Sequence, residues 1–463
     1  MPPRAARLAP RLRQLQAQPQ AGLEALCRPW LVPPRKMRGA RRQRIYPLRR
    51  VFWIFLGQVL AADKSCARAV RAHLSALVGL ARFMPSPDTA AYCRARARLA
   101  PCDLRAIFRS LRARMMSLEP AAALWRGRAV KVVDGSALSM PDTPANQRAW
   151  PQPRGQKKGC GFPVTRLVVL FSLSGGAALG WACASLRRDE RTLWRRLWRF
   201  LEPGDVALAD RGFCDFAGFA LLARRGVDCV IRLHQRRSVG VRQLRRLGRG
   251  DWLVEWIKTK TRPEWLTPGR WEALPQTLRI RQVSFHVGVA GWRTRRVTVA
   301  TTLLDAHAYP ARALAELYLR RWRCELYLRD IKITLGMDVL RCKTPAMIRK
   351  ELLMFMIAYN LVRALSAQAA TAHGAPLEQL GFKGAVATIE TFAAHADSAL
   401  RDEHTAVLLF HRLLECIARA RLPHRPHRAE PRAKKRRPKT YPLLTQPRHQ
   451  YQEIPHRNRY TIA

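Results

Sequence analysis

Acidic side chains are scarce in this sequence. The 463 residues include 32 Asp and Glu against 84 Lys and Arg, a net charge of +52. An excess of that size selects polyanionic partners, nucleic acid first. The 11 cysteines stand singly, as at Cys27, Cys66, Cys160 and Cys324. With no C-x-x-C pair and no histidines at finger spacing, neither a disulfide framework nor a zinc site is signalled, and reduced thiols are expected. Long apolar runs are missing near the N-terminus, where Val51 to Leu60 is about half of a membrane span. The Arg- and Pro-rich leader has no signal-peptide core, so a cytoplasmic protein with no membrane contact is expected.

The basic charge is not confined to the ends. Residues 1–50 hold 13 basic and one acidic side chain, and residues 422–463 hold 11 and two, which leaves most of the excess in between. The folded part is itself basic, as in a protein that grips phosphate backbone through counterion release.

The length suggests two or three domains. Residues 1–50 read as a basic, poorly ordered leader and residues 51–122 as a helical DNA-binding domain. Within the latter, Ser65 can cap one helix, and Ser86-Pro87-Asp88-Thr89 opens another that carries Tyr92. Ala129 to Val133 reads as a strand ending at Asp134. Leu167 to Leu173 and Ala177 to Ser185 form a hairpin around Ser174-Gly175-Gly176. A helix over Asp189 to Leu201 leads to a short strand, Val206 to Ala209, ending at Asp210. These elements make residues 123–229 an α/β unit. Residues 230–304 are β-rich, with strands over Trp252 to Ile257 and Val283 to Val289. Residues 305–422 are helical: one helix from Pro310 to about Leu335, one from Pro345 to about Ala370, one from about Val386 to Leu422. Residues 423–463 read as a disordered basic tail.

A carboxylate just beyond a strand end is held by the strand while its side chain escapes the core, and Asp134 and Asp210 both have that context. In a three-strand, helix, strand unit the first and fourth strands lie side by side, bringing the two aspartates together. Two close carboxylates repel, and a divalent cation removes that penalty. Asp142 is a rival to Asp134, but it follows Met140-Pro141 in a loop. On the helix from Pro310, Tyr318, Arg321, Glu325 and Lys332 are spaced Y-x2-R-x3-E-x6-K. A seven-residue step drifts by only about 20°, so Tyr318, Glu325 and Lys332 share a stripe with Arg321 nearby. Taken alone, that stripe reads better as a solvated face with helix salt links such as Glu325 to Arg329.

The signature helix follows Asp134-Gly135-Ser136 after one strand and Ala209-Asp210-Arg211-Gly212-Phe213 after another. Together the three blocks resemble the IS-four type of bacterial insertion-sequence transposases, most clearly from Val130 to Lys350. The 115-residue interval from Asp210 to Glu325 leaves room for a β-rich insertion. The resemblance implies an α/β fold with a ribonuclease-H-like core interrupted by that insertion and flanked by helical N-terminal and C-terminal regions. It further implies that Asp134, Asp210 and Glu325 hold two Mg²⁺ or Mn²⁺ ions, to which hard carboxylate oxygens are suited. The implied reaction is cut-and-paste transposition: metal-dependent cleavage at terminal inverted repeats, then attack of the freed 3′ hydroxyl on target DNA. Tyr318, Arg321 and Lys332 would contact phosphates of the transposon end. Arg211 would reach DNA or neutralise the acids, and a tryptophan of the insertion would stack on a flipped base, with Trp292 the candidate and Trp252, Trp256, Trp265 and Trp271 its competitors. Double-stranded DNA is the implied partner, with a homodimer in the synaptic complex. A catalytically silent transposase-derived DNA binder and a simple nuclease of the same fold are the competing expectations.

Overall fold

The computed structural model describes residues 21–34, 45–76, 85–234, 240–288, 296–399, 403–423 and 444–452. Among the described residues five α-helices precede the sheet: α1 (Ala21–Cys27), α2 (Leu48–Leu60), α3 (Cys66–Ser75), α4 (Thr89–Arg98) and α5 (Pro101–Ser117). Ser65 caps α3 by accepting from the Arg68 amide, and Asp88 caps α4 by accepting from Ala90. Part of the expected disordered leader is folded. Leu26, Cys27, Trp30 and Leu31 are buried, and the Trp30 indole donates to Gln368 at 2.7 Å. Their partners lie far along the chain, beyond the reach of local periodicity.

The sheet explains the middle of the molecule. Strands β1 (Val130–Ser139), β2 (Val164–Ser172) and β3 (Ala178–Ser185) form an antiparallel meander, with the short helix α6 (Pro144–Ala149) between the first two. Helix α7 (Glu190–Leu197) then crosses to β4 (Val206–Ala209), and α8 (Phe216–Ala223) crosses to β5 (Asp228–Arg232). Both strands run parallel to β1 on its other side. Alternation decides the two faces: Val132, Val169 and Phe171 enter one core, while Val133, Val168 and Leu170 enter the other, under α7 and α8.

Three further strands, β6 (Val241–Gly248), β7 (Asp251–Ile257) and β8 (Thr277–His286), are followed by β9 (Arg296–Thr301), with α9 (Pro268–Glu272) between β7 and β8. They extend the same sheet, whose order is β3-β2-β1-β4-β5-β9-β8-β7-β6. The division placed between residues 229 and 230 therefore falls inside β5, and the β-rich segment joins the core sheet through Val230 opposite Thr301. The strand expected over Val283 to Val289 instead runs from Thr277 to His286. β1 does not end at Asp134 either, because β2 pairs with it as far as Ser139 opposite Val164.

Beyond the sheet, the single helix expected from Pro310 to Leu335 is α10 (Ala311–Arg320) and α11 (Trp322–Arg329), parted at Arg321 and followed by a π-helical turn, Asp330–Thr334. No glycine or proline marks either irregularity. In the π turn, Asp330 is buried near Arg363, a contact made by the fold and not by the local sequence. Helix α12 (Pro345–Ala372) is long and apolar enough to cross a membrane, but it serves as the central core helix, with 89% of its most apolar window buried. Two helices follow, α13 (Phe382–Ala399) and α14 (Glu403–Arg419), where one was expected. The expected basic tail is described only at residues 423 and 444–452. There Arg448 donates to Asp142 at 2.7 Å and its amide donates to the Gly159 carbonyl.

Candidate active site

Asp134 and Asp210 are brought together by register. The parallel pairing of β1 and β4 places Val132 opposite Leu208, and two residues further along each strand stand Asp134 and Asp210. β4 ends at Ala209, so β1 has no β4 partner from Asp134 onward. Asp134 stays anchored on the other side, opposite Val169 of β2, and its Oδ1 accepts from the Gly135 amide at 2.8 Å.

The third acid comes from α11. Cys324, Tyr327 and Leu328 bury one side of that helix, which leaves the Glu325 side chain 37% exposed. Arg321, at the break between α10 and α11, reaches two of the acids. Its guanidinium lies 2.9 Å from Glu325 Oε1 and 3.8 Å from Asp134 Oδ2. Burial pulls this guanidinium down, but Tyr318, Asp210, Glu325 and Asp134 together outweigh that and hold it above its ordinary value.

Burial dominates at Asp134. It pushes the carboxyl up to about 6; the Gly135 amide and Arg321 pull it back, and Glu325 and Asp210 raise it again. Asp134 therefore feels both other acids, a repulsion that a cation among them would relieve. Among the described residues, no three His, Cys, Asp or Glu side chains stand close enough to enclose an ion, and Arg321 competes for the same oxygens. The donor chemistry still fits a hard divalent cation, because carboxylate oxygens are what Mg²⁺ and Mn²⁺ prefer. The one nearby sulfur, Cys324, is buried, and its thiol is pushed up by that burial and then by Asp134.

Tyr318 is buried on α10, and its hydroxyl donates to Asp210 Oδ1 at 3.3 Å. Its ring meets Phe285 of β8 edge-on, centroids 6.4 Å apart, so the β-rich segment touches the signature helix. Burial raises the Tyr318 hydroxyl above its usual range, opposed by Arg321. Lys332, in the π turn, donates to Ser136 Oγ at 2.7 Å. Tyr318, Arg321, Glu325 and Lys332 thus all turn toward the β1–β4 edge, despite the break in their helix.

Arg211 is exposed beside Asp210, and Asp142 is held by Gln147 and Arg448 away from the other acids. Trp292 lies outside the described residues. Of its competitors, Trp256 is core, Trp252 and Trp265 lie under the guanidinium groups of Arg246 and Arg195, and Trp271 lies under the Lys258 ammonium. Two neighbours had no assigned role in the sequence. Phe285 is joined to Tyr318 only by tertiary structure, and Glu190 places its carboxylate 2.9 Å from where a Gly135 Cβ would stand. That carboxylate is the far end of a flexible, partly exposed side chain that can shift, so the approach does not by itself demand glycine between Asp134 and Ser136.

Known proteins give the geometry its context. In Escherichia coli (strain K12), the transposase InsG for insertion sequence element IS4 is 26% identical over 407 residues, covering 87% of this chain and 88% of that protein. Among solved structures, the piggyBac transposase in its synaptic complex with hairpin DNA aligns with 86% of this chain and 82% of its own at 9% identity. Its TM-score of 0.41 is too low to support any point of architecture. The model of the transposase DDE domain matches residues 125–361, more than half of the chain and inclusive of Asp134, Asp210 and Glu325. The chain belongs to the DDE-domain transposases, and within them to the IS-four type of insertion-sequence enzymes.

Proposed function

We propose that this chain carries out cut-and-paste transposition of an insertion sequence, with Asp134, Asp210 and Glu325 as its catalytic acids on a ribonuclease-H-like core. The observation that supports this reading is that two neighbouring side chains of the signature helix reach all three acids: Arg321 borders Asp134 and Glu325, and Tyr318 donates to Asp210. Two Mg²⁺ or Mn²⁺ ions held by these carboxylates would activate an attacking oxygen and stabilise the leaving one. The chain's own part is to fix the acids on rigid elements and surround them with cationic donors. Glu325 and Asp134 both border Arg321, so a phosphate that draws the guanidinium away frees oxygens on both acids.

Tyr318, Arg321 and Lys332 would hold the phosphates of the transposon end: Arg321 by its fork, Lys332 as a point charge, Tyr318 by its hydroxyl. Arg211, exposed next to Asp210, would add a further contact. Water first cuts at the terminal inverted repeat, and the freed 3′ hydroxyl then attacks double-stranded target DNA. Trp292 would stack on a displaced base. Two protomers on paired ends would make the synaptic complex, inside a bacterial cytoplasm.

The test is incubation of the protein with linear DNA carrying the element's terminal repeats, a target plasmid and Mg²⁺. Joined products are the expected result. Nicks without joining would mark a simple nuclease, and binding without any cleavage would mark a silent DNA-binding derivative. Either outcome overturns the proposal.

A further inference from the structure

Of the three residues in the Asp134-Gly135-Ser136 block, the last has had no role. Ser136 lies two residues beyond Asp134 on β1, so both side chains leave the same face of the strand. Its hydroxyl accepts from the Lys332 ammonium at 2.7 Å. We propose that Ser136 is a positioning residue for DNA binding, fixing the Lys332 ammonium beside the acid site. This rests on the reading of Lys332 as a phosphate contact.

The backbone around both residues is built for such a task. After Asp134, β1 loses its β4 neighbour, yet its last residues are clasped by the chain that follows the π turn. The Ser139 amide donates to the Asp338 carbonyl at 3.0 Å, the Leu340 amide donates to the Ser139 carbonyl at 2.9 Å, and Ser139 bridges Val339 in parallel. The same chain secures Lys332 itself, for the Asp338 amide donates to the Lys332 carbonyl at 3.2 Å and the Met337 amide to that of Ile331 at 3.2 Å. The extension of β1 and the end of the signature helix therefore form one hydrogen-bonded unit. Within it, Ser136 and Lys332 link the two parts by side chains.

The choice of a hydroxyl has a physical reason. A lysine on its flexible stem loses conformational freedom when it meets a phosphate, and a partner that holds it beforehand removes that cost. A carboxylate would hold it too, but would cancel the charge. A hydroxyl accepts a hydrogen bond from one of the three ammonium N–H groups and adds no opposing charge of its own. Preorganisation of this kind, on a strand and not a loop, keeps a binding group in its productive place.

The test is a double-mutant cycle on binding of a fluorescently labelled duplex carrying the element's terminal repeat, followed by anisotropy at several salt concentrations. Ser136→Ala should weaken binding about fivefold, the worth of one such hydrogen bond, and Ser136→Thr should restore it. Lys332→Ala should weaken binding and lower the salt slope by about one. The double variant Ser136→Ala/Lys332→Ala should bind no more weakly than Lys332→Ala alone, because Ser136 acts through the lysine. Equal melting temperatures of Ser136→Ala and wild type exclude a folding defect as the cause. Additive losses, or a Ser136→Ala variant that binds like wild type while Lys332→Ala is weakened, overturn this proposal alone. A Lys332→Ala variant that binds like wild type overturns the phosphate reading and the proposal with it.

Discussion

At Asp134 burial, not the neighbouring acids, is the largest influence, and it has a consequence for stability as well as for chemistry. The folded carboxyl holds its proton up to about pH 6, against an ordinary value of 3.8. The folded state therefore binds more protons than the unfolded chain across that window, and stability falls as pH rises through it. Asp134→Asn removes the cost. In the metal-free protein it should raise stability at pH 7 by about 2 kcal/mol, or a melting midpoint by roughly 3 °C, with the gain gone by about pH 4. Melting curves at the two pH values check this, and no gain at pH 7 would show that the site does not strain Asp134. The same residue was legible in the sequence, because an acid after a Val-rich run stands out, as does Asp210 after Val206 to Ala209. Ser136 and Phe285 were not, since their contacts with Lys332 and Tyr318 join residues far apart in sequence that only the fold brings together.

The elements differ in how far local pattern governs them. The meander and the two parallel strands follow from alternation and turn residues such as Gly176, which has φ 71° at the β2–β3 turn. The signature helix did not obey its own periodicity. It breaks at Arg321 and widens into a π turn at Asp330–Thr334, yet Tyr318, Arg321 and Lys332 still converge, on Asp210, Asp134 and Ser136, and Glu325 joins them through Arg321. The β-rich segment was legible as strands but not as a continuation of the core sheet. One buried ion pair ties it to the signature helix. Arg281 donates to both carboxylate oxygens of Asp251, at 2.8 and 2.6 Å, and to the carbonyls of Asp305 and Tyr309 just before α10. Asp251→Ala strands a fully buried guanidinium and should cost about 3–5 kcal/mol, whereas Asp251→Leu/Arg281→Met should cost clearly less. Limited proteolysis within β6–β8 and a lowered melting midpoint would register the loss. If the single and double variants melt alike, the pair is not what fastens this segment.

For the whole molecule, a net charge of +52 spread along the chain sets how it meets DNA. If six or more phosphates are neutralised, affinity should fall by at least about a thousandfold between 50 and 200 mM salt. Anisotropy titrations with any duplex check this, and a nearly flat dependence would mean that the charge faces away from DNA. Charge was the plainest property of the sequence, though it could not say which face binds. In the proposed function the three acids would give that face a centre, and Glu325 is the one whose proposed role depends most on the family pattern. The most direct measurement is cleavage of terminal-repeat DNA in Mg²⁺ by wild type and by Glu325→Gln. Cleavage by wild type with loss of at least about a hundredfold in the variant is the predicted result, in keeping with removal of a catalytic group. Equal cleavage by the two proteins would contradict the account.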